Sequence, residues 1–133
     1  YLPEAANTSI GKIAIGVVEG DTHDIGKNLV KIMMETGGFE VHDLGRDVPL
    51  DAFVDYVREN EVDILCMSSL MTTTMPGMGI VIDKLKESGL RDKVKVMVGG
   101  APVSPAFAKK IGADGYTSSA IEAVEFAKSL VEV

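Results

Sequence analysis

Cysteine is nearly absent from this chain, whose 133 residues include only Cys66. One thiol cannot build a disulfide framework, and its place in the apolar run 64–67 predicts a buried structural cysteine. A reducing cytoplasm suits such a protein. Long apolar runs are absent too: none approaches the roughly 20 residues that a transmembrane helix needs.

Positive charge is also scarce, because 13 Lys and Arg residues stand against 20 Asp and Glu residues, a net charge of −7. This balance argues against nucleic acid and against an anionic membrane as partners. A hydrophobic content of 46% with 25% charged residues is typical of a globular protein. The length predicts one domain with a full core.

The start of the chain has neither an initiator Met nor the basic and apolar regions of a signal peptide. Residues 1–9 contain Pro, Asn, Thr and Ser without periodicity, which predicts a linker. We therefore expect a fragment of a longer product. Residues 1–9 would remain from a linker after a missing upstream region, and residues 10–133 would form the domain.

Strand-like and helix-like segments alternate from Ile10 onward. The predicted strands cover residues 12–18, 40–43, 63–68, 94–98 and 115–117. The predicted helices cover about residues 24–35, 50–59, 78–88, 105–111 and 120–131. The first helix has Ile25, Leu29, Ile32 and Met33 at helical spacing. Five βα units with right-handed crossovers predict an α/β fold: a doubly wound five-stranded parallel sheet of flavodoxin-like (Rossmann-like) type, in the order 2-1-3-4-5.

Small and hydroxyl residues follow four of the predicted strands. These strand ends are 20–23, 68–70, 99–100 and 116–119. They meet at the carboxyl edge of the sheet, where open α/β sheets bind ligands, and small residues admit a large ligand there. Asp21, His23 and Asp24 crowd the first turn. A carboxylate two residues from an imidazole can hold one ring nitrogen and leave the other free for a metal.

Two nucleotide sites and a phosphorylation site are excluded at this edge. Gly20 and Gly26 imitate a P-loop, but five residues separate them instead of four, and Asn28 stands where Ser or Thr should hold magnesium. No Gly-x-Gly-x-x-Gly follows the first strand, which excludes the dinucleotide fingerprint. A phospho-receiver domain needs an Asp after the third strand, where this chain has Ser68 and Ser69.

A zinc site is a further alternative, and it would require His23, His42 and Cys66 to converge from three unrelated elements. Zinc ligands usually come in closely spaced pairs along the sequence. No such pair exists here, so the spacing argues against zinc.

The order Asp21-x-His23-x-x-Gly26 resembles the signature of cobalamin (B12)-binding domains. Four other stretches resemble the same family: Ser68-x-Leu70, Gly99-Gly100, residues 44–49 after the second strand, and residues 71–75. The last of these is similar to the corrinoid subunits of methanol and methylamine methyltransferases. The resemblance covers the chain from Gly11 onward, and the motifs occur in order at strand ends.

The resemblance implies a cobalamin or related cobamide bound base-off and His-on. His23 would be the lower axial ligand of cobalt, with Asp21 on its other nitrogen and Thr74 completing a relay in place of Ser. The detached nucleotide tail would enter a slot that any side chain larger than Gly at position 99 or 100 would block. The implied cofactor contacts are Gly20, Asp21, Thr22, His23, Asp24, Ile25, Gly26, Ser68, Leu70, Met71, Thr72, Thr74, Gly99, Gly100, Ala101, Tyr116, Thr117 and Ser118.

The function that the resemblance implies is a methyl carrier. A substrate-specific methyltransferase would place a methyl group on Co(I), and methyl-Co(III) would give it to a second methyltransferase acting on tetrahydrofolate or a thiol. A reductive activator is a further expected partner, and an upstream helical cap is expected over the corrin. The domain would not be an enzyme by itself. The methyl donor, the acceptor, the lower base of the cobamide and the oligomeric state stay open.

Three alternatives remain. A B12-binding subunit of an adenosylcobalamin mutase shares the motifs, but residues 71–75 favour methyl transfer. A B12-based sensor would use the same module without catalysis. A flavodoxin-like interaction domain would carry no cofactor, and the purified protein would be colourless.

Several residues also have purely structural interpretations. Asp21 could cap the first helix, and Lys27 and Arg46 could be surface charges. His42 could face solvent or a helix, and Tyr116 could pack on a helix instead of contacting the tail. Core filling is the simplest role for Met33, Met34, Met75 and Met78.

Overall fold

A computed structural model describes residues 10–117 and 119–131 of the chain. The described strands are β1 Lys12–Val18, β2 Glu40–Val48, β3 Ile64–Ser68, β4 Lys95–Gly99 and β5 Gly115–Thr117. The described α-helices are α1 Ile25–Thr36, α2 Leu50–Glu59, α3 Pro76–Glu87, α4 Pro105–Ile111 and α5 Ala120–Val131. All pairings are parallel, and the sheet order β2-β1-β3-β4-β5 confirms the predicted topology.

The two faces of the sheet are covered by different helices. One buried cluster joins Phe53 of α2 and Ile82 of α3 to alternate residues of the strands. The other joins Met34 of α1 and Ala127 of α5 to the opposite face of the strands. Burial on both faces explains why β1 and β3 are almost continuously apolar in sequence.

Cys66 of β3 is buried, as the sequence predicted. Burial raises the pKa of its thiol to about 12, so it stays protonated at neutral pH. Within residues 10–117 and 119–131, no helix is long and apolar enough to cross a membrane. The linker assigned to residues 1–9 lies outside the described residues, and the upstream helical cap stays a prediction.

The second strand is longer than predicted: it runs to Val48, where the sequence indicated a loop after Asp43. Its pairing with β1 shifts register twice, at Ile15/Gly16 and at Gly16/Val18. Gly45, at φ 100°, accommodates this irregular pairing. Shorter differences at other ends are of one or two residues, as for α3, which begins at Pro76 because proline suits the first helical position.

Helix α1 packs with a different face from the one that its apolar spacing indicates. Lys27 and Met34 are its buried residues, whereas the side chains of Ile25, Leu29 and Ile32 are 84%, 53% and 57% exposed. The helix carries two apolar stripes, and spacing alone cannot say which of them faces the sheet.

Lys27 is not the surface charge that the sequence indicated, because only 4% of its surface is exposed. Its Nζ donates to both carboxylate oxygens of Asp43, each at 2.8 Å. The structural interpretations of Met34, Met78 and His42 agree with the structure. Met34 and Met78 are buried in the core, and the ring of His42 lies 5.9 Å from that of Tyr56 on α2.

Candidate functional site

The loop between β1 and α1 is fixed by its own backbone conformation. Gly20 has φ 92°, and a Cβ there would lie 3.2 Å from Cγ2 of Thr74. Glycine therefore lets the chain turn close against the loop that follows β3. The next residue, Asp21, is fully buried.

Asp21 connects this loop to the segment after β3. Its Oδ1 accepts from the His23 backbone N–H at 3.0 Å and pairs with Nδ1 of the His23 ring at 2.8 Å. Its Oδ2 accepts from the Leu70 N–H at 2.7 Å and from the Thr74 hydroxyl at 3.1 Å. The cap of α1 is Asp24, which makes no side-chain cap bond. The capping interpretation of Asp21 is therefore wrong, because its oxygens are used elsewhere.

The charge state of Asp21 follows from these contacts. Burial raises its pKa, but the hydrogen bonds from His23, Leu70 and Thr74 favour the charged form and together lower the pKa to about 2. An ionised carboxylate can only accept hydrogen bonds. The His23 Nδ1 at 2.8 Å is therefore the donor, which fixes the tautomer of the ring.

The other ring nitrogen of His23 is available. The side chain is 55% exposed, and no residue within 10–117 or 119–131 bonds to its Nε2. In a neutral ring with the proton on Nδ1, Nε2 carries the lone pair that can bind a metal. The described residues contain no cluster of three or more His, Cys, Asp and Glu side chains that could enclose a metal ion. A metal here could take His23 as a single protein ligand.

Ser69 extends the hydrogen-bonded chain of Asp21 and Thr74, and it was missed by the sequence analysis, which assigned its neighbour Ser68. Ser69 is fully buried. Its hydroxyl lies 2.7 Å from that of Thr74 and donates to the Met71 carbonyl at 3.0 Å. The alternation of side chains along a strand was the available signal, because successive residues at a strand end face opposite sides.

A cleft of about 560 Å³ lies between the carboxyl ends of β3, β4 and β5 and the helices α1 and α5. Eight residues predicted from the sequence line it: Gly26, Ser68, Leu70, Gly99, Gly100, Ala101, Tyr116 and Thr117. The lining residues that the sequence analysis did not assign include Ile15, Lys27, Leu29, Val30, Cys66 and Met97. Except for Lys27, these are apolar side chains or a thiol, and such a wall suits a large, partly apolar ligand.

The remaining predicted residues lie in the loops beside the cleft or, for Ile25, at the start of α1, and do not line it. They are Gly20, Asp21, Thr22, His23, Asp24, Ile25, Met71, Thr72 and Thr74. Ser118 lies outside the described residues. Leu70 links the two groups, because it lines the cleft and its N–H donates to Asp21.

Gly100 has a structural reason for being glycine that the sequence did not reveal. Its φ is 125°, and a Cβ would lie 1.8 Å from the Ser69 carbonyl oxygen. The backbone itself excludes a larger residue here, whatever the cleft binds. Gly99 is less constrained, because its Cβ would lie 3.2 Å from the Thr117 carbonyl oxygen.

Comparisons with known proteins agree with this geometry. The family model described as B12 binding domain matches residues 11–125. The chain is 55% identical over 131 residues to dimethylamine corrinoid protein 3 of Methanosarcina mazei, which covers 98% of this chain and 78% of that protein. The chain spans only 61–62% of the length of similar dimethylamine corrinoid proteins from Methanosarcina acetivorans and Methanosarcina barkeri.

Two solved structures are also similar. The monomethylamine corrinoid protein of Methanosarcina barkeri superposes with a TM-score of 0.89 at 40% identity, covering 96% of this chain and 62% of that one. The methanol:cobalamin methyltransferase complex MtaBC of Methanosarcina barkeri contains a chain that matches with a TM-score of 0.87 at 35% identity. That match covers 93% of this chain and 47% of the other.

Proposed function

This chain belongs to the B12-binding domain family and, within it, to the methylamine corrinoid proteins, and from this we propose that it binds a corrinoid and carries methyl groups. The observation that carries the proposal is the position of His23. Its Nδ1 is held by the buried Asp21, its Nε2 has no partner among the described residues, and Leu70, whose N–H donates to Asp21, lines the cleft.

The described residues fit such a group. The cleft would hold the tail of the cobamide against Ser68, Gly99 and Thr117, and Nε2 of His23 would ligate cobalt from the protein side. When bound, the corrinoid supplies a cobalt that can accept a methyl group and release it again. The predicted His-on mode requires the His23 imidazole to present Nε2 to the cobalt.

The protein's own residues control that imidazole. Asp21 keeps the proton on Nδ1, so that Nε2 carries the lone pair, as carboxylates do for histidines that bind metals. Leu70 and Thr74 hold Asp21 in place.

For the partners, we infer two methyltransferases that reach the corrinoid in turn, with a methylamine as the methyl donor and a reductive activator to restore the cobalt. The support is the names of the relatives, most of which are dimethylamine corrinoid proteins, and the likeness to a chain in a methyltransferase complex. We expect the chain alone to give no turnover with dimethylamine. Turnover without an added methyltransferase would contradict the carrier role.

The test of the ligand is paramagnetic resonance of the full chain loaded with cobalamin and reduced to Co(II). One axial nitrogen splits each cobalt line into three, so the wild type should show triplets and His23→Gly should lose them. His42→Gly is a matched control, because His42 is the only other histidine and pairs with Glu40 away from the cleft. Triplets that survive in His23→Gly, or a protein that stays colourless with cobalamin, would overturn the proposal.

A further inference from the structure

We propose that Asp47, at the end of β2, is a positioning residue for His23, an inference that rests on the proposed function. Asp47 contacts the loop that carries His23 through both its side chain and its backbone. Its Oδ1 accepts from the Gly20 N–H at 2.7 Å, and its own N–H donates to the Asp21 carbonyl oxygen at 2.8 Å. One residue therefore holds the two residues that precede Thr22 and His23.

The conformation of Asp47 is unusual in a way that this double contact explains. Its φ is 50°, and it is the one non-glycine residue with positive φ in the described part of the chain. The left-handed region disfavours residues with a Cβ, although Asp and Asn tolerate it best. Such a conformation persists when its surroundings over-determine it, and here the two bonds to the His23 loop do so.

Other contacts join the same two segments. The first N–H of α2, that of Leu50, has no acceptor from its own cap Pro49 and donates instead to Glu19 Oε1 at 3.0 Å. Beyond the loop, in the first turn of α1, Lys27 is paired with Asp43. The strand β2 thus contacts the start of the loop through Asp47 and the helix that follows the loop through Asp43.

Unlike Glu19 and Asp43, Asp47 bonds to the part of the loop that determines the orientation of the His23 imidazole. Asp21 can orient His23 only if its own backbone is fixed, and its carbonyl oxygen is bonded to the Asp47 N–H. Loss of the Asp47 carboxylate frees the Gly20 amide, and the turn before Asp21 gains freedom. The expected result is a His23 ring that is no longer held in one tautomer.

The test uses three variants that separate conformation from hydrogen bonding. Asp47→Asn keeps the left-handed conformation and an acceptor for Gly20. Asp47→Gly keeps the conformation and removes the acceptor, and Asp47→Ala loses both. Because glycine adopts this backbone without strain, Asp47→Gly should fold, and the proposal does not depend on the Ala variant.

The first readout needs no cofactor. Nuclear magnetic resonance reports the exchange rate of the Gly20 amide and the tautomer of the His23 ring. In Asp47→Gly, Gly20 exchange should accelerate about tenfold or more, because hydrogen bonds to charged groups are the stronger ones, and the Nε2–H tautomer should become populated. Asp47→Asn should restore both signals. An unchanged His23 tautomer in Asp47→Gly would overturn the proposal.

The second readout separates this proposal from the proposed function. In the cobalamin-loaded Co(II) state, Asp47→Gly should weaken axial nitrogen ligation by about tenfold, the lower end of typical outer-shell effects. Triplets of wild-type strength in that variant would overturn the role of Asp47 while the carrier proposal stands. Absence of triplets in the wild type would defeat the His-on proposal, and the cofactor-free measurement would still decide on Asp47.

Two control variants complete the design. Gly89→Ala places a Cβ at φ 73° with nothing within 4 Å, so it measures the effect of left-handed strain far from the loop. Asp55→Asn removes an exposed carboxylate that pairs with Arg58 on α2. Both controls should leave the His23 tautomer unchanged, and a change in either would show that the readout lacks specificity and would overturn the assignment.

Discussion

Lys27 and Asp43 form a charged pair at the wall of the cleft, with Nζ 2.8 Å from both carboxylate oxygens. Burial raises the pKa of Asp43, but the hydrogen bonds from Lys27 and Gly45 and the charges of Lys27 and Lys31 outweigh it and lower the pKa. The pair ties the first turn of α1 to the edge strand β2. Lys27 is also the only charged residue among the described residues that line the cleft.

Replacing Lys27 with Met should destabilise the protein by about 1–3 kcal/mol, because Asp43 loses its main partner while Lys31, 3.5 Å away, keeps part of the charge compensation. Lys31→Met is the matched control and should cost about 0–1 kcal/mol, because Lys31 lies farther from Asp43 and is less buried than Lys27. Urea unfolding measures both. Equal losses of unfolding free energy in the two variants would show that the buried pair stabilises the protein no more than the pair of Lys31 with Asp43.

The same pair predicts a pH dependence. The pKa of Asp43 is lowered in the folded state, so the stabilisation is present above the ordinary carboxyl pKa and is lost as the pH falls through the lowered value. The difference in unfolding free energy between wild type and Lys27→Met should therefore be constant near neutral pH and shrink below about pH 4. A difference that grows in acid would contradict this sign.

Thr74 offers a test of the relay. Thr74→Val removes the hydroxyl that donates to Asp21 and is hydrogen-bonded to the Ser69 hydroxyl. Thr74→Ser keeps this hydroxyl. We expect the Val variant to lose about 1–2 kcal/mol of stability, and the Ser variant less. In the cobalamin-loaded protein, axial nitrogen ligation should likewise be weakened more in the Val variant than in the Ser variant. Equal ligation in Val and Ser variants would remove Thr74 from the relay.

The two glycines at the end of β4, Gly99 and Gly100, give a prediction in the absence of any cofactor. Gly100→Ala should be strongly destabilising, by about 3 kcal/mol or more, because the added Cβ overlaps the Ser69 carbonyl oxygen at a positive φ. Gly99→Ala should cost less. Gly45→Ala is the control, because Gly45 has φ 100° with open space around it. Its loss of stability measures the cost of a positive φ without a steric overlap. If unliganded Gly100→Ala were as stable as wild type, only cofactor entry would explain the glycine.

The sheet order was predictable because alternating segments and short connections leave few topologies for a parallel sheet. The contact between Asp21 and His23 was indicated by their spacing and by the family resemblance. The ion pair of Lys27 was not, because a lysine in an amphipathic helix usually faces solvent and nothing local points to Asp43, 16 residues away. The extension of β2 was missed because its glycine and its left-handed Asp47 look like loop residues until β1 provides hydrogen bonds.

Cys66 gives this protein a chemical probe of its own cleft. It is the only thiol in the sequence, it lines the cleft, and 6% of its surface is exposed. With its pKa raised to about 12, the reactive thiolate is rare at neutral pH. Alkylation should therefore proceed mainly through moments when α1 and α5 separate from the sheet. The alkylation rate of Cys66 would therefore report how often the cleft opens. A molecule bound in the cleft would slow this alkylation, so binding could be followed without introducing a reporter group.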